Sequence, residues 1–242
     1  MNISVRKLKL ASQIYLTIPV YVFMLAWVKI WIALPVCVLL LWSNWEYIKK
    51  LWSNTDEKVT FNIFHLFAII SIGVLWISLS GIGGFGMLLH DHQKIYAITK
   101  DIIEQSFPIT YVYEGQHYYL SAYIAYHIVS PILAGWISYD AANVFLFVYA
   151  TIGVLLGLIW FSILSNNKLV YSTIFFILVG GIDVAGFLFH SGFTNGLKEI
   201  LSGTHIQFYW YNSLDIQKYL LYHGNTNVLF WAGPHAVPCW VA

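Results

Sequence analysis

The residues whose types and spacing could do chemistry stand at the end of a long apolar run. A glycine cluster, Gly81, Gly83, Gly84 and Gly86, is followed by His90-Asp91-His92 and then Lys94. A carboxylate at such an edge can take the proton of an attacking hydroxyl, and a neighbouring cation can hold a departing anion. Asp91 also has a bland use, because Asp is a favoured N-cap and a helix starting at His92 would need one. The two uses are compatible. His90, Asp91 and His92, with His117 further on, are suitable ligand types for a divalent ion. Adjacent residues seldom converge on one ion, however, and no two histidines stand four apart, so interfacial polar residues are the expectation and no metal site is assigned.

Other candidates are spread more thinly. Asp183 is the acid deepest in apolar sequence. An acid in a membrane span defaults to a functional role, although a carboxylate satisfied by neighbouring polar groups, or at a helix end, accounts for it equally well. Lys94, Lys100, Tyr118, Tyr119, His205 and His235 could line a substrate cavity, Lys and His meeting phosphate and Tyr stacking on a sugar ring. Each alone reads equally as an interfacial residue. His65 and His127 read as packed, hydrogen-bonded helix residues. The Gly81-x-Gly83-Gly84-x-Gly86 spacing is not a nucleotide fingerprint, since no βαβ pattern surrounds it and no basic residue follows at phosphate-loop spacing.

The elements that must position these residues are membrane helices. Hydrophobic residues make up 59% of the 242 and charged residues only 10%, and the mean hydropathy is +0.69. A soluble domain carries nearer a quarter charged residues. Several charge-poor runs reach the roughly 20 residues that cross about 30 Å of hydrocarbon as helix. The expected fold is therefore all-α, a polytopic transmembrane bundle of about six to seven segments within a single domain, with backbone polar groups satisfied inside each helix. The 11 Trp and 17 Tyr flank the apolar runs as a belt does. A net charge of +1 gives no reason to expect nucleic acid as a partner. Cys37 and Cys239 lie in apolar sequence and read as small buried hydrophobes rather than a disulfide framework. The first apolar region is too long for a signal peptide and has no small-residue cleavage site.

Arg6, Lys7 and Lys9 precede the first apolar region and place the N-terminus in the cytoplasm of a multi-pass cell-membrane protein. Residues 14–42 read as two short spans with a turn near Trp27–Lys29, bent or thinned by Pro19 and Pro35. Residues 61–79 form a span, and 80–117 an extracytoplasmic loop. That loop contains an amphipathic helix from His92 to Phe107, whose Ile95, Ile98 and Ile102 would lie in the outer interface. Residues 118–136 and 141–164 read as further spans, and 169–189 as a segment broken by Gly180-Gly181. Residues 190–227 form a polar aromatic loop, and 228–242 begin another segment. If every run crosses once, the 190–227 loop faces the cytoplasm. If the broken segment is re-entrant, that loop shares a side with Asp91. The chain stops at Ala242 inside an apolar run, as a truncated copy of a longer protein would.

Several pieces together resemble the bacterial polytopic membrane proteins of the C-type glycosyltransferase (GT-C) fold. They are the SGIGGF run at Ser80–Phe85, Asp91 followed by a basic residue, Pro108, YYLSAYIAY at Tyr118–Tyr126, GGIDVAG at Gly180–Gly186, and NVLFWAGPHAVPCW at Asn227–Trp240. The similarity is scattered from about Trp76 onward, and its motifs are short. The chain departs from the pattern at His92, where an aromatic residue is expected, and in its early end. The resemblance implies a transferase that takes a sugar from a polyprenyl-phosphate donor, a membrane lipid, at the outer face. It implies Asp91 as the base. The residues themselves offer Lys94, Tyr118, Tyr119, His205 and His235 as substrate-binding candidates, and no cofactor is expected. The residues alone leave two other readings open: a transporter or channel whose path is lined by the broken segment around Asp183, and a non-catalytic membrane remnant.

The lysine pattern yields a topology prediction. In a background lacking Cys37 and Cys239, single cysteines at Gln116 and Asn54 are expected to react with an impermeant thiol reagent from opposite sides of the membrane, Gln116 from outside. Reaction of both from one side overturns the assignment.

Overall fold

The computed structural model describes residues 2–86, 90–120, 124–165, 169–178, 192–195, 198 and 225–242. Asp183 and His205 lie outside the described residues, as does most of the 190–227 loop. The protein is mostly helical. Among the described residues, three helices are long and apolar enough to cross a membrane: α1 (Val5–Trp27), α2 (Ile30–Ser53) and α6 (Tyr139–Leu164). α3 (Ile63–Ser78) is apolar but shorter. The remaining helices are α4 (His90–Glu104), α5 (Val129–Ala134), α7 (Leu169–Leu178) and α8 (Asn225–Val241).

α1 and α2 form an antiparallel pair joined by two extended residues, Val28 and Lys29, at the expected turn. They are not short. They run 23 and 24 residues, because the helical pattern continues through the basic stretch before Ile14 and the Trp-rich stretch after Trp42. Ser4 caps α1 by accepting from the Lys7 N–H, and its hydroxyl donates to Asp56 Oδ1 at 2.9 Å. That hydroxyl is the main reason the Asp56 carboxyl titrates below the usual carboxylate range. A two-stranded antiparallel sheet, β1 (Asn2–Ser4) with β2 (Lys58–Thr60), ties the start of α1 to the chain after α2. Inside the pair, Gln13 Nε2 donates to Asn44 Oδ1 at 2.7 Å and Asn44 Nδ2 to the Tyr21 hydroxyl at 2.8 Å. Such polar pairs hold helices together where no water competes. The outward faces of α2, with exposed Trp31 and Leu39, and of α3, with exposed Phe64 and Phe67, form an apolar surface of the kind that marks membrane contact.

α6 is the central helix. Ser138 caps it, accepting from the Ala141 N–H at 3.0 Å. It carries Ala150, Val154 and Leu158 at the centre of the main core, with Ile69 and Ile77 of α3 and Leu229 and Val237 of α8. Small residues admit its neighbours. A Cβ on Gly153 would lie 2.2 Å from the Tyr15 hydroxyl oxygen, and one on Gly157 would lie 3.0 Å from Trp240 Cβ.

The structure corrects two expectations. Residues 118–136 are not one helix. β3 (Thr110–Tyr113) and β4 (Gln116–Tyr119) form a hairpin in that region, and only the six-residue α5 follows. Glu114 and Gly115 both have positive φ, the requirement of a two-residue type I′ turn. The alternating Tyr and Val on either side supply strand formers. Secondly, the apolar stripe of α4 faces protein rather than lipid. Ile98 and Ile102 pack with Ile109, Ile124 and Ile128, supported by Phe23 and Trp27 of α1. Trp27 meets Phe107 edge-on at 5.4 Å, so α4 and the hairpin sit at the end of the α1–α2 pair remote from Asn54.

The glycine cluster does end α3 and aims the chain at α4. Gly81, Gly83, Gly84 and Gly86 all have positive φ, a region glycine enters without steric penalty. Gly83 also lies against α6, where a Cβ would stand 2.6 Å from Phe147 Cβ and 2.7 Å from the Asn143 carbonyl oxygen. Around Gly84 the space is open. Gly83→Ala is therefore expected to destabilise the protein by well over about 1 kcal/mol, adding steric displacement to the backbone penalty. Gly84→Ala should cost only the backbone penalty. Thermal unfolding in detergent compares them, and equal losses would mean that the contact with α6 contributes nothing.

Candidate functional site

Three pieces of chain converge where α4 begins: the glycine turn, the segment before α5, and α8. Tyr96 on α4 fastens the first of these. Its hydroxyl donates to the Gly81 carbonyl and accepts from the Gly84 N–H at 2.6 Å. Burial raises the phenol above its ordinary pKa, so it stays protonated and keeps both bonds. At the far end of α4, Tyr111 on β3 donates to Asp101 Oδ2 at 2.5 Å. Burial and, next, the Asp101 carboxylate push Tyr111 up to about 12. The helix is thus tied at both ends.

Asp91 lies inside α4, one residue past its first. The helix starts at His90, two residues earlier than expected, so Asp91 belongs to its first turn. A carboxylate in a first turn is favoured by the helix dipole. His92, the next residue, is buried, and its ring stacks towards Tyr96 at 6.4 Å between centroids.

His127 is the least expected member. Both its ring nitrogens are buried and lack hydrogen-bond partners among the described residues. Burial first, then the nearby imidazoles of His92 and His235, hold it well below the ordinary histidine range, so it is neutral at physiological pH. Sequence reading made His127 a hydrogen-bonded helix residue. Instead it lies just before α5, against Tyr126 at 5.7 Å, and joins His92 of α4 to His235 of α8. The three are electrostatic neighbours, yet no group of histidine, cysteine or acidic residues among the described residues is arranged to hold a metal ion.

His235 also lines a cleft of about 230 Å³ between α1, α6 and α8, with Tyr15, Tyr126, Tyr149, Pro19 and Pro234 among its walls. One backbone defect organises these walls. Pro19 sits inside α1 and has no N–H, so the Tyr15 carbonyl loses its partner four residues on. The Tyr149 hydroxyl donates to that carbonyl at 2.7 Å. The Tyr15 and Tyr149 rings stack at 4.5 Å, and the Tyr15 and Tyr126 hydroxyls lie 3.1 Å apart in a hydrogen bond. A hydroxyl in apolar surroundings must find a partner, and here each does. That rule was the available sign that Tyr15 and Tyr149, set within apolar runs, would meet polar groups.

The other candidates stand apart from this cleft. Lys94 is exposed on α4. Tyr118 and Tyr119 are exposed on the hairpin, and Tyr118 turns towards Tyr113 at 6.5 Å. The fold and the cleft define a helical protein with, among the described residues, three helices fit to cross a membrane and a tyrosine–histidine pocket between α1, α6 and α8. No family model matches the chain, and comparison with characterised proteins and with solved structures finds no match.

The Pro19 repair is open to a double-mutant cycle. Tyr149→Phe should cost about 1 kcal/mol, leaving a buried carbonyl unpaired. In a Pro19→Ala background, where the helix supplies its own N–H, the same change should cost clearly less. Equal costs in the two backgrounds, read by denaturant unfolding in detergent, would show that the hydroxyl does not serve that carbonyl.

Proposed function

We propose that this chain is a multi-pass membrane protein of glycosyltransferase type, with a cytoplasmic N-terminus, that takes a sugar from a polyprenyl-phosphate donor at the outer face. Asp91 acts as its base. The observation that carries this reading is the placement of Asp91. It sits in the first turn of a helix fastened to the glycine turn through Tyr96, and its neighbour His92 leads through His127 to His235 and the cleft. The sequence resemblance supports the same assignment. In the step itself, the Asp91 carboxylate takes the proton of an acceptor hydroxyl as its oxygen bonds to the anomeric carbon. The bond from that carbon to the phosphate oxygen breaks, and the polyprenyl phosphate leaves with both electrons. Lys94, three residues on from Asp91, supplies a cation for the departing phosphate.

Asp91→Asn tests this. Asn cannot accept the proton, so transfer of sugar from a polyprenyl-phosphate donor in liposomes should fall by roughly a hundredfold or more. The thermal midpoint should move little, since the lost interaction with the helix dipole is worth only about 0.3–1 kcal/mol. Transfer at the unsubstituted rate would remove Asp91 from the mechanism.

A further inference from the structure

We propose that a second cleft, between the basic ends of α1 and α2, binds the phosphate headgroup of an anionic glycerophospholipid. The cleft has a volume of about 470 Å³. Lys9 of α1 and Lys50 of α2 line it, and Leu16, Leu51, Trp160 and Leu164 give it an apolar wall. Two other bases at this end are already engaged. Arg6 is already committed, donating to the Asn54 carbonyl at 2.6 Å and lying over the Trp52 ring at 4.8 Å. Lys49 is paired with Glu46 at 2.8 Å. Lys9 and Lys50 take part in neither described ion pair. Among the described residues no acidic side chain lines the cleft.

Two of the neutral polar groups in the wall are occupied as well. Ser12 Oγ accepts from Trp160 Nε1 at 2.8 Å, and the Gln13 amide donates to Asn44. The Tyr47 hydroxyl and the Asn54 side chain also line the cleft and can donate to an anion beside the two lysines, so an anion is the complement.

Depth and lining select a lipid over a soluble anion. A helix of 23 or 24 residues spans about 35 Å, against about 30 Å of hydrocarbon. The first turn or so of α1 and the last turn of α2, where Lys9 and Lys50 lie, thus reach headgroup level. An apolar wall below two cations suits a molecule with a phosphate above and acyl chains beneath. Basic pockets between membrane helices on the cytoplasmic side take such headgroups. This inference does not depend on the proposed transfer activity.

The test titrates the purified full chain in detergent with phosphatidylglycerol, phosphatidylcholine and inorganic phosphate, reading bound lipid by native mass spectrometry. Phosphatidylglycerol should bind in preference to phosphatidylcholine. Lys9→Gln and Lys50→Gln should each weaken it roughly fivefold, and Lys9→Arg with Lys50→Arg should keep it. Lys49→Gln removes the same charge outside the cleft and should leave binding unchanged. Wild-type binding by both Gln variants, or an equal loss in Lys49→Gln, would reduce the effect to general surface charge and overturn the site. Displacement of the lipid by millimolar inorganic phosphate would make it a soluble-anion site and overturn the lipid assignment.

Discussion

One hydrogen bond holds the arrangement of α1 against α6, and much else depends on it. Pro19 leaves the Tyr15 carbonyl without its helical donor, and the Tyr149 hydroxyl, from a helix more than a hundred residues later, donates to it. In a low-dielectric setting an unpaired carbonyl is costly, so the bond fixes both the axial register and the rotation of α1 on α6. The stacked Tyr15 and Tyr149 rings and the bond from Tyr15 to Tyr126 follow from that register. Gly153 is the other half of the fit, since any side chain there would occupy the place of the Tyr15 hydroxyl.

A second constraint brings α4 to the same region. The glycine turn lies on α6 through Gly83, and the Phe85 ring packs against Phe147 at 4.7 Å. Tyr96 then joins the turn to α4 with two backbone hydrogen bonds. Asp91, His92 and Lys94 are consequently carried on a helix with little freedom to tilt.

The molecule has two chemically different ends. At one lie α4, the hairpin and the buried His92 and His127. At the other, the starts of α1 and β2 and the end of α2 gather Arg6, Lys7, Lys9, Lys49, Lys50 and Lys58. The long apolar helices α1 and α2 separate the two ends.

The sequence by itself determined the helical class, the break near Val28, the glycine-ended third helix and the presence of an amphipathic helix after it. Each of these is a local matter of hydropathy, periodicity or glycine conformation. The hairpin at Thr110–Tyr119 was also legible, in the Glu114-Gly115 pair between alternating strand formers, but the surrounding apolar composition reads as helix and masks it. The tertiary structure alone decided the rest. It decided that the isoleucines of α4 bury themselves against protein, because an apolar stripe satisfies lipid and protein core alike and only the neighbouring Ile109, Ile124 and Ile128 choose between them. It decided that His235 shares a cleft with Tyr15, Tyr126 and Tyr149 while Tyr118 and Tyr119 stay outside it. The physical reason is that a donor or an imidazole far along the chain meets its partner through helix packing, and the spacing of residues within one helix carries no record of which helix will lie against it.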